Sequence, residues 1–221
     1  MKVIICTPSH REINRYTIDC VRKTVETSKH ECLWLKQFDD ALVSRARNNL
    51  LAVAMQQDAD YIYWWDGDIT TPHMQQGDNL IDMLVDFQIS HAHGAIVGGL
   101  YATRGIGGHC ASRPIEGEKA DGVGWRVRYL AGGSMLVPWG TVKRMQKTYA
   151  ELEYEPRINE GATVKTWALF QPFIHDGEYL SEDWAFCQRA AAMGIECWAH
   201  LDVELHHWGL APFAMDKMQI L

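Results

Sequence analysis

The sequence predicts an α/β protein with a mixed, mainly parallel central sheet flanked by helices. Short apolar runs typical of buried strands alternate with amphipathic segments typical of helices over the first third of the chain. One such run, Tyr61–Trp65, ends abruptly in Asp66-Gly67-Asp68. Polar side chains at that position are typical of the edge where an open sheet binds ligands, at the carboxyl ends of its strands.

The first hundred residues contain the clearest alternation of elements. Strands are predicted where apolar runs are short and rich in β-branched or aromatic residues, over Val3–Cys6, Cys32–Leu35, Tyr61–Trp65 and Ala95–Leu100. Helices are predicted between them, over Asn14–Thr27, from Asp39 or Asp40 to Gln57, and over Leu80–Phe87. The buried stripes expected of the first two helices are Tyr16, Cys20 and Thr24, and then Leu42, Ala46, Leu50 and Val53.

The rest of the chain combines further strands with two long polar segments. Strands are predicted over Trp125–Val137, which contains the glycine pair Gly132-Gly133, and over Trp167–Ile174, Ile195–Ala199 and Val203–Leu205. Helices are predicted over Pro138–Tyr149 and Ser181–Met193, the second with Gly194 at its end. Residues from about 102 to 124 and from 151 to 166 are predicted to be loops that close over a bound substrate.

Composition and charge narrow the class of protein. A chain of 221 residues with 47% hydrophobic and 22% charged residues is expected to form one domain. A net charge of −7 argues against a general binder of polyanions. The six cysteines include no C-x-x-C pair and predict reduced thiols. Neither a leader segment nor an apolar run of membrane-spanning length is visible, which predicts a soluble, cytoplasmic protein.

Asp66, Gly67 and Asp68 form the first candidate site. Burying an unpaired carboxylate is very costly, so both aspartates are expected at the sheet edge. Side chains two residues apart on a strand point the same way, so both carboxylates can reach one cation. Hard oxygen ligands suit Mg²⁺ or Mn²⁺. The alternative is a turn with solvated aspartates, because Asp-Gly is common in turns.

Two later clusters offer a nitrogen ligand and a general base. His206-His207 follows Val203–Leu205, and a histidine ligand favours Mn²⁺ slightly over Mg²⁺. The alternative is a surface or core histidine. Glu182 and Asp183 lie in the first turn of a predicted helix, where carboxylates either favour the helix dipole or act as a base. Neighbouring helix positions diverge by about 100°, so both cannot face one acceptor.

Basic residues before and after the acidic motif offer contacts to phosphate. Arg45 and Arg47 point to different faces of one predicted helix, so one of them can meet a phosphate, a base or the Asp66 carboxylate. The alternative is a solvated helix surface. Tyr101 and Arg104 follow a predicted strand and can stack on a sugar and meet phosphate, or form an ordinary exposed strand end.

In order and spacing these motifs resemble those of glycosyltransferases with the GT-A fold, a Rossmann-like single domain. The resemblance covers nearly the whole chain and rests on Thr7-Pro8, Arg45–Asn48, Asp66–Asp68, Gly132-Gly133, Glu182-Asp183 and His207–Gly209. No single motif is specific. The chain is most similar to small single-domain enzymes of large DNA viruses and phages, with likeness to inverting family 2 enzymes. The resemblance implies a nucleotide-binding half over about residues 1–100 and an acceptor or catalytic half over about 101–221.

The resemblance also implies roles for individual residues. Asp183 is the implied base, with Glu182 beside it. The implied metal ligands are Asp68 and His207, with Asp66 in support. Donor contacts are implied for Thr7, Pro8, Arg45, Arg47, Asn48, Asp66, Gly67 and Asp68. Acceptor or lid contacts are implied for Tyr101, Arg104, Gly133 and Trp184.

The implied reaction moves a sugar from a nucleoside-diphosphate sugar to an acceptor hydroxyl, with Mn²⁺ or Mg²⁺ and with inversion. The resemblance favours a UDP-sugar over a GDP-sugar. A glycan acceptor is favoured over a modified DNA base, because the protein is acidic. A viral source would place the protein in the host cytoplasm. The oligomeric state is left open.

Two other functions remain open at this point. A nucleotidyltransferase has a related α/β core, but it needs a glycine-rich basic loop after the first strand. Here that segment, Thr7–Glu12, contains no glycine. A non-catalytic carbohydrate- or nucleotide-binding module with the same fold suits the aromatic content, but it does not need Asp68, Asp183 and His207.

Overall fold

The computed structural model describes residues 1–72, 78–105, 108–156, 164–209 and the backbone of 212–213. Its strands, in chain order, are β1 (Lys2–Pro8), β2 (Glu31–Gln37), β3 (Tyr61–Trp65), β4 (Ile69–Thr70), β5 (Ile96–Leu100), β6 (Arg113–Pro114), β7 (Gly124–Tyr129), β8 (Ser134–Pro138), β9 (Glu153–Tyr154), β10 (Thr166–Trp167), β11 (Phe173–His175), β12 (Glu178–Leu180), β13 (Cys197–Glu204), β14 (His206–Trp208) and β15 (Pro212–Phe213). Its helices are α1 (Arg15–Thr27), α2 (Val43–Ala54), α3 (Leu80–Ser90), α4 (Trp139–Thr148) and α5 (Glu182–Ala191), with a 3₁₀ turn at Ala150–Leu152.

A mixed sheet of eight strands, in the order β2-β1-β3-β8-β5-β13-β7-β6, forms the centre of the fold. Strands β2, β1 and β3 are parallel to one another, and β13 is parallel to β5. Strand β8 is antiparallel to both β3 and β5, so β3 and β5 run in the same direction. Five of the eight strands are therefore parallel, namely β2, β1, β3, β5 and β13. This confirms the predicted α/β class. It also brings the carboxyl ends of β1, β3 and β5 and the start of β8 to one edge.

The central strands are apolar because both of their faces are covered. Along β1 and β3, alternate residues enter two separate apolar clusters. Ile4 and Trp64 pack on one side, where the Trp64 ring lies 4.7 Å from the Phe170 ring. Ile5 and Tyr63 pack on the other. A strand that is buried on both faces has a continuous apolar sequence, and such runs made these strands easy to predict.

Helix α1 has the predicted bounds to within one residue but a different buried stripe. Thr17, Val21 and Thr24 are its buried residues. Tyr16 is 43% exposed and stacks on Trp208 at a centroid distance of 4.7 Å. Tyr16 therefore lies beside β14 rather than beneath the main sheet, a placement that periodicity within the helix does not reveal.

Helix α2 begins at Val43, later than predicted. The Asp40 carboxylate accepts a hydrogen bond from the Leu42 backbone amide and pairs with Arg45, so Asp40 precedes the helix as a turn residue. Leu42, which was expected on the buried face, is exposed. Of the other positions predicted for the buried face of α2, Ala46 and Leu50 are buried, whereas Val53 is only partly buried.

The strand predicted over Trp125–Val137 is two strands in different places. Strand β7 pairs with β13, and β8 lies between β3 and β5. The Gly132-Gly133 pair forms the turn between them. The Trp167–Ile174 strand is likewise divided into β10 and β11, whereas the two short strands predicted after Gly194 join into β13. Gly194 has a φ of +75°, as expected of a glycine at a helix end.

The two predicted loops carry short elements. The first contains β6 and a bridge between Ala102 and Cys110, and the second contains β9. Residues 106–107 of the first loop and 157–163 of the second lie outside the described residues, so closure over a substrate stays a prediction. All six cysteines are free thiols. No helix in the described ranges combines the length and the apolar character that crossing a membrane requires.

Candidate active site

The candidate site lies where β1 and β3 end. A cleft of about 350 Å³ opens there, lined by Pro8, Ser9, His10, Arg11, Glu12, Val43, Asp66, Gly67, Asp68 and Arg104. A larger groove of about 700 Å³ lies between β2, α2 and Tyr154–Pro156. That groove includes none of the acidic-motif residues, so the smaller cleft is the better candidate for chemistry. Its Ser9–Glu12 wall was not singled out by the motifs, although it follows β1 at the same edge.

Asp66 is held by a buried guanidinium. Nη2 of Arg47 donates to both carboxylate oxygens of Asp66, at 2.8 and 3.0 Å. The Arg47 side chain is 1% exposed. Arg45 instead is 57% exposed and pairs with Asp40 at 2.8 Å. The two arginines thus point to different faces of α2, and Arg47 is the one that meets the acidic motif.

Arg47 also joins the acidic motif to the Glu182-Asp183 pair. Its Nε lies 3.4 Å from Oε1 of Glu182, and its Nη1 donates to the Gly132 carbonyl at 3.2 Å. Burial lowers the pKa of Arg47, but the carboxylates of Asp66 and Glu182 raise it more, so the guanidinium stays charged. Burial raises the pKa of Asp66 to about 6, and the charge of Arg47 opposes this rise.

The spacing of Asp66 and Asp68 predicted that both lie on one strand and point the same way. This prediction is wrong. Strand β3 ends at Trp65, and the Ile69 amide donates to the Asp66 carbonyl at 3.2 Å, which closes a turn. Asp66 pairs with the buried Arg47, whereas Asp68 has other partners, although both aspartates line the cleft.

Asp68 meets His207 across the small sheet β15-β14-β4. Pairing of Ile69 with His207, together with a 2.8 Å hydrogen bond from the Trp208 amide to the Asp68 carbonyl, fixes the two segments. Oδ2 of Asp68 lies 3.4 Å from Nε2 of His207. Nη1 of Arg104 lies 3.3 Å from the same oxygen. Residues far apart in sequence thus converge on one carboxylate.

The Asp68–His207 pair fits two ligands of one divalent cation. Nδ1 of His207 lies 2.9 Å from the Ala102 carbonyl, which can only accept, so we assign the proton to Nδ1. In the neutral ring, Nε2 then presents its lone pair to Asp68. Adjacent ligands of an octahedral Mg²⁺-sized ion are about 3 Å apart, close to the observed separation.

Within the described ranges, no group of three or more His, Cys, Asp or Glu side chains is arranged to hold a metal ion. Asp66, the third residue expected near the metal, is instead engaged by Arg47. A cation on Asp68 and His207 would therefore take its remaining ligands from water or substrate oxygens, as Mg²⁺ sites commonly do.

Asp183 is oriented by three hydrogen bonds. Its Oδ2 accepts from the Gly132 amide at 2.9 Å. Its Oδ1 accepts from the Trp184 amide at 2.8 Å and from the Ser181 hydroxyl. These donors hold the carboxylate beside the Gly132-Gly133 turn, whereas Glu182 turns toward Arg47. The two neighbouring carboxylates therefore have different partners, in agreement with their divergence on a helix.

The Gly132-Gly133 turn has no room for side chains. A Cβ on Gly132 would lie 2.5 Å from Nη2 of Arg47, and one on Gly133 would lie 2.7 Å from the Tyr101 hydroxyl. The Gly133 amide donates to that hydroxyl at 2.9 Å. The glycine pair therefore lets the chain pass between the acidic motif and α5.

Replacing Gly132 with alanine is expected to lower the free energy of unfolding by about 1–3 kcal/mol, because the new methyl group must displace Arg47. Chemical denaturation measures the change. Gly140→Ala is the matched control: Gly140 lies in helix α4 with open space around it, so alanine is expected to stabilise by up to about 1 kcal/mol. Equal destabilisation by both substitutions would contradict the tight packing at Gly132.

Tyr101 is not available for stacking on a sugar, one of the two interpretations of the sequence. It is 5% exposed, and its ring meets His207 edge-on at a centroid distance of 5.3 Å. It lies beneath the acidic motif, where its hydroxyl accepts a hydrogen bond from the Gly133 amide. Tyr101 thus supports the turn and the His207 ring from within the protein.

Two other predicted donor contacts have partners within the fold. The Thr7 hydroxyl is buried and accepts from the Trp34 indole at 2.9 Å. Oδ1 of Asn48 accepts from the Phe170 amide at 3.1 Å. Both side chains are therefore engaged in joining neighbouring segments of the protein.

Trp184, expected near the acceptor, packs against Tyr129 at 5.4 Å with the Arg113 guanidinium 5.6 Å from its ring. It is partly buried and follows Asp183 directly. A contact between Trp184 and the acceptor therefore stays a prediction.

Comparison with known proteins shows similarity in structure alone. No known family's sequence profile matches the chain, and no curated protein matches it either. Among solved structures, A197 from STIV, a viral glycosyltransferase-like protein, is similar over 98% of this chain and 95% of its own, with 14% identity and a TM-score of 0.58.

TarS from S. aureus, a glycosyltransferase, is similar over 91% of this chain with 12% identity and a TM-score of 0.52, and the chain spans 35% of its length. A structure of TarS residues 1–349 is similar with 13% identity and a TM-score of 0.50, over 58% of its length. At these identities the likeness shows the fold and nothing finer. The chain has a GT-A-like α/β fold.

Proposed function

We propose that this protein is a metal-dependent glycosyltransferase that moves a sugar from a nucleoside-diphosphate sugar to an acceptor hydroxyl. The observation that carries the proposal is the 3.4 Å approach of Asp68 Oδ2 to His207 Nε2 beside the cleft at the ends of β1 and β3. Neighbours of glycosyltransferase type support the class at the level of the fold.

The donor diphosphate belongs in the cleft beside Asp68. Asp68 and His207 would hold Mn²⁺ or Mg²⁺, which when bound offsets the negative charge of the leaving diphosphate. Arg11 and Arg104 line the same cleft. Arg104 lies 3.3 Å from Asp68 and is more than half exposed, so it can turn from this carboxylate to a phosphate. A UDP-sugar is the proposed donor.

Asp183 is the proposed general base. As the acceptor oxygen attacks C1 of the donor sugar, Asp183 takes the hydroxyl proton, and the bond from C1 to the diphosphate breaks on the opposite face. This single displacement inverts the anomeric configuration. Glu182 does not take the proton but helps to hold Arg47, which in turn positions Asp66. The proposed acceptor is a glycan.

The metal pair is tested by removing each ligand separately. Asp68→Ala and His207→Ala are each expected to weaken Mn²⁺ binding by at least about tenfold, because each removes one of two protein ligands. Electron paramagnetic resonance titration of Mn²⁺ measures affinity without relying on activity. The same variants are expected to lose the rise in melting temperature that UDP with Mn²⁺ gives the wild type.

Asp58→Ala and His93→Ala are matched controls, since both residues are exposed and precede β3 and β5, at the opposite edge of the sheet. They are expected to bind Mn²⁺ like the wild type. Unchanged Mn²⁺ affinity in Asp68→Ala would refute the proposed metal site. A screen that finds nucleoside triphosphates stabilising and nucleotide sugars inert would favour a nucleotidyltransferase instead.

A further inference from the structure

A second groove lies on the other side of β14 from the metal pair. It has a volume of about 430 Å³ and is lined by Tyr16, Asp19, Cys20, Lys23, Thr70, Thr71, Pro72, His206 and Trp208. Its volume is within the range of small-molecule sites. No residue of this groove takes part in the proposed transfer reaction.

Two aromatic rings form one wall of the groove. Tyr16 and Trp208 stack with centroids 4.7 Å apart and an interplanar angle of 24°. The Trp208 indole donates to the Thr70 hydroxyl at 2.8 Å, so its ring is fixed against β4. Tyr16 remains 43% exposed at the start of α1. The wall therefore consists of two stacked rings and reaches solvent at Tyr16, where the Arg15 guanidinium lies 4.7 Å from the ring centroid.

Polar groups of both charges face the same groove. Asp19 and Lys23 are one turn apart on α1, and His206 and Thr71 lie across from them. The opposite charges of Asp19 and Lys23 make this part of the groove nearly neutral. Carboxylate, ammonium, imidazole and hydroxyl groups together offer both donors and acceptors.

This combination favours one class of ligand over others. A purely apolar ligand would offer no hydrogen bond to these polar groups, and covering polar groups without hydrogen bonds is costly. An anionic phosphate ligand would meet the Asp19 carboxylate. A neutral sugar presents C–H groups on its ring face and hydroxyls on its edge, which suit an aromatic wall beside mixed donors and acceptors. We propose that this groove binds a segment of a neutral oligosaccharide.

The groove is joined to the candidate site through β14. His207 faces Asp68, whereas its neighbours His206 and Trp208 line the groove. A glycan held there lies one strand away from the metal pair. If the protein is the proposed transferase, the glycan in the groove is part of its acceptor. That role rests on the proposed function, whereas binding in the groove does not.

Binding is tested on the full chain with maltohexaose, mannohexaose and N-acetylchitohexaose, by saturation-transfer NMR and calorimetry. At least one probe is expected to bind, and Tyr16→Ala is expected to weaken it at least tenfold. Tyr179→Ala is the matched control, because Tyr179 is a 69% exposed tyrosine on β12, outside the groove. It is expected to leave affinity unchanged. Trp208→Phe, which keeps a ring but loses the indole donor, is expected to weaken binding less than Tyr16→Ala.

Each outcome is decisive. Failure of all three probes to bind, or equal effects of Tyr16→Ala and Tyr179→Ala, would overturn the groove assignment. Displacement of the bound glycan by inorganic phosphate would also overturn it, in favour of an anion site. Asp68→Ala is expected to bind the glycan normally while losing Mn²⁺. A result that contradicts glycan binding in the groove is therefore distinguished from one that contradicts Mn²⁺ binding by Asp68 and His207. Circular dichroism confirms that each variant is folded.

Discussion

Replacing Arg47 with methionine is expected to lower the free energy of unfolding by about 3–5 kcal/mol, the largest effect on stability that we expect from a single substitution here. Methionine keeps much of the volume but removes the cation that contacts Asp66 and Glu182. Two carboxylates then remain close together without a buried counter-ion. Urea or guanidinium denaturation with the wild type as reference measures the loss.

Arg45→Met is the matched control for this experiment. Arg45 lies two residues away on the same helix and also pairs with an aspartate, but it is exposed. Its removal is expected to cost far less stability than removal of Arg47, since exposed ion pairs contribute little. Adding Asp66→Asn to Arg47→Met is expected to recover part of the loss, because it removes one of the uncompensated charges. Equal costs for both arginines would contradict the central role of Arg47.

Replacing Asp183 with asparagine is expected to lower kcat for sugar transfer by about 10²–10⁴-fold, the range for loss of a general base. The affinities for Mn²⁺ and for UDP are expected to stay unchanged, because Asp183 lies on the acceptor side in the proposed reaction. The asparagine amide also turns a donor toward one of the groups that now donate to Asp183, so some loss of stability is expected. Activity is therefore measured well below the melting temperature of the variant.

Glu182→Gln distinguishes the two neighbouring carboxylates. Because Glu182 faces Arg47, its neutralisation is expected to change stability more than chemistry, with less than about a tenfold fall in kcat. A deeper fall in kcat for Glu182→Gln than for Asp183→Asn would transfer the role of base to Glu182. Steady-state transfer to a common acceptor, with donor and metal saturating, gives the comparison.

Several features of the fold followed from local sequence. Strands β1 and β3 are buried on both faces, and that burial requires unbroken apolar runs such as Tyr61–Trp65. Gly194 has the positive φ that a helix end often requires. The GT-A-like fold that the order of the motifs implied is the fold observed.

Other features depended on contacts between distant segments. The division of Trp125–Val137 into β7 and β8 was not predicted, because the sequence on either side of Gly132-Gly133 does not show which strands pair with it. The prediction that Tyr16 lies on the buried face of α1 was wrong. Its ring instead stacks on Trp208, which is almost two hundred residues away in the sequence.

The sequence by itself determined the α/β class and the polar residues at the sheet edge, because burial and turn formation act over a few neighbouring residues. Only the tertiary structure decided how the acidic motif is used. A turn follows Trp65, so Asp66 and Asp68 meet different partners. Asp66 pairs with Arg47, and Asp68 lies beside His207. A spacing of two residues does not specify these directions, since the backbone leaves the strand there.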